Sequence, residues 1–267
     1  MNDSLLTLAR RVTVEAAEHA ARARREGVEL TGLKSTPTDV VTRADQETET
    51  YLIDEILRAR PDDGILGEEG DGVASISGLT WVIDPIDGTV NYLYDIPAWA
   101  VSVAVVEGEP DPATWRTLAG CVVNPLAREM YAAAAGSGAT LNDRPLALEP
   151  KSQLASALVA TGFAYAAERR LEQAAIAARV IGRVRDLRRM GAASLDLCGV
   201  AAGRLDGYWE TGLHPWDHAA GALIAREAGA TVSGLEAGSR EGRAFTLAAN
   251  PGLAEELRMM LFSSGAP

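Results

Sequence analysis

The sequence predicts a layered α/β fold with mixed sheets, and three observations point there. Segments of helical and of strand period interleave without a strict βαβ rhythm, which argues for an α+β layering and against a Rossmann domain. Short strand-like runs crowd residues 65–134, separated by turns carrying Gly, Pro and Asp. The chain has 267 residues, 47% apolar and 23% charged, enough for a large core in one domain of two intimate lobes.

In 4–26, Leu5, Leu8, Val12 and Ala16 recur at helical spacing, with Arg and Glu on the other face and Gly27 as the stop. A second helix is expected over 45–57, with Tyr51, Leu52 and Ile56 as its apolar stripe and Arg60-Pro61 beyond it. Strands follow at 65–66, 80–83, 100–106, 117–123 and 129–134, and Gly136-Ser137-Gly138 reads as a hairpin turn. The second half alternates more slowly. It reads as strand 157–161, helix 167–181, strand 184–190, helix 194–202, strand 206–210 and helix 215–228, then strands 231–233 and 245–249 and a closing helix 251–261. The change of pace falls in 143–152 and divides an N-terminal lobe of about 1–147 from a C-terminal lobe of about 148–267.

The formal net charge is −12, which argues against nucleic acid as a bulk electrostatic partner. It would also repel an anionic substrate unless bound cations reverse the sign locally. Cys121 and Cys198 sit in apolar surroundings and read as buried, reduced thiols, and there is no Cys-x-x-Cys. The first residues, Met1-Asn2-Asp3-Ser4-Leu5, lack the basic and apolar regions of a signal peptide. No apolar run approaches the ~20 residues of a membrane span. The expectation is a soluble, cytoplasmic protein without membrane or nucleic-acid partners.

The chemistry concentrates where carboxylates leave apolar segments. Asp84 and Asp87 follow Trp81-Val82-Ile83, Glu68-Glu69 follow Ile65-Leu66-Gly67, Glu210 ends Tyr208-Trp209, and Asp217 follows Trp216 at a helix start. One such residue is ordinarily a helix cap or a solvated side chain. Several together, each leaving a hydrophobic run, would be costly unpaired, and a hard divalent ion with oxygen ligands settles that cost. Gly88 permits a sharp turn, and a helix opening at Thr89 would offer free amides to an anion. Asp84-Pro-Ile-Asp87-Gly-Thr is one residue longer than the Asp-x-Asp-Gly-Thr of haloacid-dehalogenase-type phosphatases, whose first Asp is a nucleophile. An EF-hand fails as well, since Ile83 stands where its loop would begin.

Four ordered motifs resemble the inositol monophosphatase family of lithium-sensitive, Mg²⁺-dependent phosphatases. They are Gly67-Glu68-Glu69; Asp84-Pro85-Ile86-Asp87-Gly88-Thr89-Val90-Asn91; Trp216-Asp217-His218-Ala219-Ala220-Gly221 running into Glu227-Ala228-Gly229; and the stretch from Lys34 through Thr38-Asp39-Val40-Val41-Thr42 to Asp45. The resemblance spans nearly the whole chain and implies an αβαβα sandwich of the inositol monophosphatase/fructose-1,6-bisphosphatase type. It implies two to three Mg²⁺ per subunit, the first held by Glu68, Asp84 and the Ile86 carbonyl. Asp84, Asp87 and Asp217 would hold the second, and a looser third would lean on Glu68. Asp45 would orient Thr89, which with Glu68 positions the attacking water, so that no phosphoenzyme forms. The Gly88 and Thr89 amides would receive the phosphate, and Asp87, Ala193 and Glu210 would meet substrate hydroxyls. Gly191-Ala192-Ala193-Ser194 departs from the family's usual Gly-Thr-Ala-Ala and loses a hydroxyl at Ala192. Li⁺ inhibition, a homodimer and an inositol monophosphate substrate follow from the same resemblance. Histidinol-phosphate, fructose-1,6-bisphosphate and 3′-phosphoadenosine phosphatases are the alternatives, with a non-catalytic, metal-bound regulatory partner behind them.

Other features read more plainly. Pro215 separates His214 from the helix that would pair it with His218 on zinc. No Gly-x-Ser-x-Gly or Gly-Lys-Ser/Thr occurs. Arg183, Arg185, Arg188 and Arg189 read as a solvated or inter-subunit face, and the five Trp residues as packing.

Overall fold

The computed structural model describes residues 2–33, 40–151 and 153–266. Residues 34–39, which open the Lys34 motif, and Ser152, within the expected lobe boundary, lie outside the described residues. Helix α1 (Asn2–Glu26) is followed by an antiparallel pair, β1 (Leu30–Leu33) and β2 (Val40–Thr42), and then by α2 (Arg43–Ala59). Next come β3 (Gly64–Gly67), β4 (Leu79–Asp87), the short α3 (Thr89–Leu93), β5 (Ala100–Glu107), β6 (Arg116–Asn124), β7 (Glu129–Ala134), β8 (Ala139–Leu141) and β9 (Arg144–Leu146). Strands β3 to β9 form a seven-stranded sheet in sequence order, parallel at β3/β4 and antiparallel elsewhere. The chain continues through β10 (Leu158–Thr161), α4 (Ala167–Val180), β11 (Asp186–Arg188), α5 (Ala193–Ala201) and β12 (Gly207–Glu210). It ends in α6 (Pro215–Glu227), β13 (Thr231–Ser233), β14 (Thr246–Ala249) and α7 (Ala254–Ser263). Its five-stranded sheet has the order β11-β10-β12-β14-β13.

Alternating side chains sort these elements into five layers. Leu5, Val12 and Ala16 of α1 and Leu52 and Ile56 of α2 pack on Trp81, Ile83, Val101 and Leu118 of the first sheet. The opposite face of that sheet, through Val82, Ala100 and Ala104, meets Leu197 of α5 and Ile224 of α6, which also pack on Tyr208 and Ala248 of the second sheet. Outside the second sheet, Ile176, Leu257 and Leu261 of α4 and α7 cover Val159, Trp209 and Leu247. The order is αβαβα, with α5 and α6 between the sheets.

The longer elements lie within a few residues of the boundaries the sequence predicts. Strands β1, β2, β8 and β9 are additional. At three or four residues they are too short to display a period of two. The β8–β9 turn carries the positive φ angles of Asn142 (48°) and Asp143 (63°), a two-residue hairpin signature. Trp81, Trp99, Trp115 and Trp209 are buried, and Trp216 stacks on His214.

Candidate active site

All nine residues of β4 are buried. In an unbroken strand, residues three apart face opposite sides of the sheet. Here Asp84 stands opposite Ser102 and Asp87 opposite Ala100, so β4 takes three steps while β5 takes two. This bulge returns both carboxylates to one face, the face shared with Ala100 and turned to α5 and α6. Ser102 Oγ on that face lies 3.5 Å from the Trp216 carbonyl at the start of α6. Ile86 is thrown to the other side, among Ala20, Ala44, Tyr92 and Trp99. Gly88 then turns the chain with φ 92°, where a Cβ would also lie 3.0 Å from the Ala98 carbonyl.

Backbone amides hold Asp84, Asp87, Asp217 and Asp45. Asp84 Oδ1 accepts the Ile86 N–H at 3.1 Å. Helix α5 has no side-chain cap of its own, and Asp87 supplies one across the molecule. Its Oδ1 accepts the Ala193 N–H at 3.2 Å, and its Oδ2 accepts the Ser194 N–H at 2.7 Å and the Ser194 hydroxyl at 2.5 Å. Asn91 fixes the same junction by donating to the carbonyls of Ala98 (2.6 Å) and Met190 (2.8 Å). Asp217 is the third residue of α6, with Oδ2 accepting the His214 N–H at 2.6 Å. Asp45, fully buried, accepts the Thr42 N–H at 2.8 Å at the start of α2. Its other oxygen lies 3.2 Å from Thr89 Oγ1, which is also 3.1 Å from the Ile86 carbonyl. Glu68 follows β3 and is half-buried. At the end of β12, Glu210 accepts the Tyr208 hydroxyl at 2.7 Å, and its carboxylate fills the space a side chain at residue 162 would take.

The carboxyls feel one another. Burial pushes Asp217 well above the usual carboxylate range, and Asp87, Glu68 and Glu210 push it further. Burial raises Asp87 too, against the pull of the Ser194 and Ala193 donors. Burial lifts Glu210 to about 7, with Tyr208 and Arg189 pulling it back and Asp87 adding to the rise. Among the described residues no three His, Cys, Asp or Glu side chains converge to hold an ion as they stand, so this coupling acts through space. The donor set is nevertheless all oxygen and anionic, the chemistry a hard divalent cation takes. Glu68, Asp84, Asp87, Asp217 and the Ile86 carbonyl are therefore donors of the kind a hard divalent cation would take.

Four participants escape a reading of motifs alone. Glu49 is buried within α2 and accepts the Glu69 N–H at 2.9 Å; burial raises its pKa, and that amide draws it back. Asp196 is buried on α5 and raised well above its ordinary value by burial and by Glu210. Ser194 holds Asp87. Arg189 is exposed but turned to the site: a Cβ on Gly191 would lie 2.4 Å from its Nη1, and its charge acts on Glu210, Asp196 and Asp87. Arg183, Arg185, Arg188 and Arg189 are all exposed, as the solvated-face reading expects, and Arg189 in addition acts electrostatically on the acidic side chains. The available signal was a charged residue on an apolar stripe, as in Asp45, Glu49, Leu52 and Ile56 along α2.

The five layers, with buried and half-buried carboxylates on β4, β12 and α6, define a fold of the sugar-phosphatase type. The chain belongs to the inositol monophosphatase family, whose profile matches residues 1–263. It is 46% identical over 265 residues to a Mycobacterium tuberculosis (strain ATCC 25618 / H37Rv) protein named inositol-1-monophosphatase SuhB, covering 91% of this chain and 89% of the relative. A Pasteurella multocida (strain Pm70) protein named Nus factor SuhB is 40% identical over 235 residues, 85% of each chain. The crystal structure of the extragenic suppressor protein suhB from Bartonella henselae superposes with a TM-score of 0.86 at 33% identity, covering 97% of this chain and 98% of that one. Phosphatase activity is what these family relatives support.

Proposed function

We propose that the protein is a Mg²⁺-dependent phosphomonoesterase that hydrolyses an inositol monophosphate to inositol and phosphate by direct attack of water. The observation that carries this is the β4 bulge, which sets Asp84 and Asp87 on the face where α6 presents Asp217. Two Mg²⁺, held by Glu68, Asp84, Ile86 and by Asp84, Asp87, Asp217, would supply charge neutralisation and an acidified water, with a looser third near Glu68. Thr89 Oγ1 gives its one proton to Asp45 or to the Ile86 carbonyl, which leaves a lone pair to accept from the attacking water; Glu68 orients that water from the other side. The Gly88 and Thr89 amides take the phosphate at the turn. Glu210, ionised, accepts hydroxyls of the polyol, and Asp87 and Ala193 border the same space.

We assign most of the metal and phosphate half to residues 1–147, with Asp217 supplied by residues 148–267 together with the polyol wall, in a cytoplasmic homodimer. Among the described residues no helix is long and apolar enough to cross a membrane. The test is phosphate release, with and without Mg²⁺, from inositol 1-phosphate, fructose 1,6-bisphosphate, histidinol phosphate and 3′-phosphoadenosine 5′-phosphate. Preference for inositol 1-phosphate and inhibition by Li⁺ support the reading, and a different best substrate moves the protein to a sister activity. A Mg²⁺-loaded protein inert on all four favours the second reading, a regulatory partner, which the relative named Nus factor SuhB recommends.

A further inference from the structure

Helix α2 carries two buried carboxylates one turn apart, and only the first is accounted for by the site above. Asp45 meets Thr89. Glu49 lies on the same face, four residues on, in line with Leu52 and Ile56. Only 3% of Glu49 is exposed. A carboxylate so buried needs donors, and its donors are the turn that follows β3. Glu49 Oε2 accepts the Glu69 N–H at 2.9 Å, and the Glu68 and Gly70 amides also hydrogen-bond the carboxylate. Three successive amides thus enclose one anion, as a backbone nest does. The fit is close on both sides. A Cβ on Gly67 would stand 2.8 Å from Oε2, and one on Gly70 2.9 Å from Oε1. The glycines either side of Glu68-Glu69 are therefore required by the carboxylate they wrap. Glu68 on this turn acts electrostatically on Asp217 of α6.

We propose that Glu49 is a positioning residue that fixes the backbone of Glu68 and thereby aims its carboxylate at the metal site. This rests on the metal reading above. Helix α2 then serves both arms of the site, with Asp45 setting Thr89 and Glu49 setting Glu68. Residues that hold a metal ligand in place are generally worth about 10–100-fold in metal affinity.

The experiment is Mn²⁺ binding to the substrate-free protein, read from the electron paramagnetic resonance signal of unbound Mn²⁺. It compares wild type, Glu49→Gln and Gly70→Ala. Glu49→Gln places an NH₂ group among amide donors and removes the charge. Gly70→Ala keeps the charge and pushes the carboxylate out of the turn, and it carries the test if Glu49→Gln fails to fold. The expected result is about tenfold to a hundredfold weaker Mn²⁺ binding in both variants. With saturating metal, KM for inositol 1-phosphate should stay within about twofold of wild type, because the polyol wall is untouched. A folded variant that binds Mn²⁺ as wild type does would reduce Glu49 to a structural staple and overturn the proposal. Wild type that binds no Mn²⁺ would overturn the metal reading and this proposal with it.

Discussion

Asp84 and Asp87 share a face of β4 because one extra residue lies between their partners' register: Asp84 stands opposite Ser102 and Asp87 opposite Ala100. Their separation of three would otherwise turn one carboxylate into the layer of α1 and α2. The bulge is thus what makes a single acidic face out of Asp-x-x-Asp.

Asp84 is nearly fully buried and its Oδ1 accepts the local Ile86 amide, a bond the isosteric amide oxygen can keep, so Asp84→Asn should preserve the fold while removing a central charge. We expect kcat to fall at least about a hundredfold at saturating Mg²⁺, with an unchanged circular dichroism spectrum. Near-wild-type turnover would remove Asp84 from the metal assignment.

Glu210 owes its position to a missing side chain. A Cβ on Gly162 would lie 1.8 Å from Glu210 Oε2. Gly162→Ala must therefore displace the carboxylate without altering its charge. The expected outcome is a KM for inositol 1-phosphate raised about tenfold, with turnover of a small aryl phosphate changed little. Glu210→Ala should show the same split. Equal losses on both substrates would take Glu210 out of the polyol wall.

Much of this site is legible in the sequence, because the residues that do the chemistry are those that interrupt apolar runs. Asp84, Asp87, Glu210 and Asp217 announce themselves in that way. What the sequence withholds is relation. Asp87 capping α5 joins residues 106 and 107 apart, and no local pattern encodes that distance. The bulge leaves the spacing visible and the parity hidden. Glu49 falls on the apolar stripe of α2, but what it holds shows only when the glycines around Glu68 are seen to close on it. Arg189 belongs to a group of four nearby arginines, and only the fold shows its guanidinium lying against Gly191. The fold follows the same division. Long helices and strands declare their period, whereas β8 and β9 depend on a two-residue turn.

Glu210 also sets a pH dependence. Burial lifts its carboxyl to about 7, and only the ionised form accepts a hydroxyl with both oxygens. KM for inositol 1-phosphate should therefore fall as pH rises from 6 to 8, and Glu210→Gln should flatten the profile. The same shift acts on stability with a definite sign. The folded protein holds this proton more tightly than the unfolded chain, so the contribution of Glu210 is full below the ordinary carboxyl value and is lost as pH rises toward 7. In metal-free protein, Glu210→Gln should gain on wild type by a few degrees of Tm between pH 5 and pH 7.5. A constant Tm difference across that range would show that the carboxyl is not raised.

The Thr89–Asp45 pair permits a separation of catalysis from stability. Thr89 gives α3 no side-chain cap, while Asp45 anchors the start of α2 through the Thr42 amide at 2.8 Å. Thr89→Ala should therefore lower kcat about 10²–10³-fold, the range of a lost acid–base contact, with Tm nearly unchanged. Asp45→Asn should lower kcat comparably and cost about 1 kcal/mol of stability through the cap. If Asp45 acts on the water only through Thr89, the double variant will be no slower than the slower single one. Thr89→Ser keeps the hydroxyl and should recover most of the rate. Multiplicative losses in the double variant would mean that Asp45 reaches the reaction by a route other than the 3.2 Å contact with Thr89.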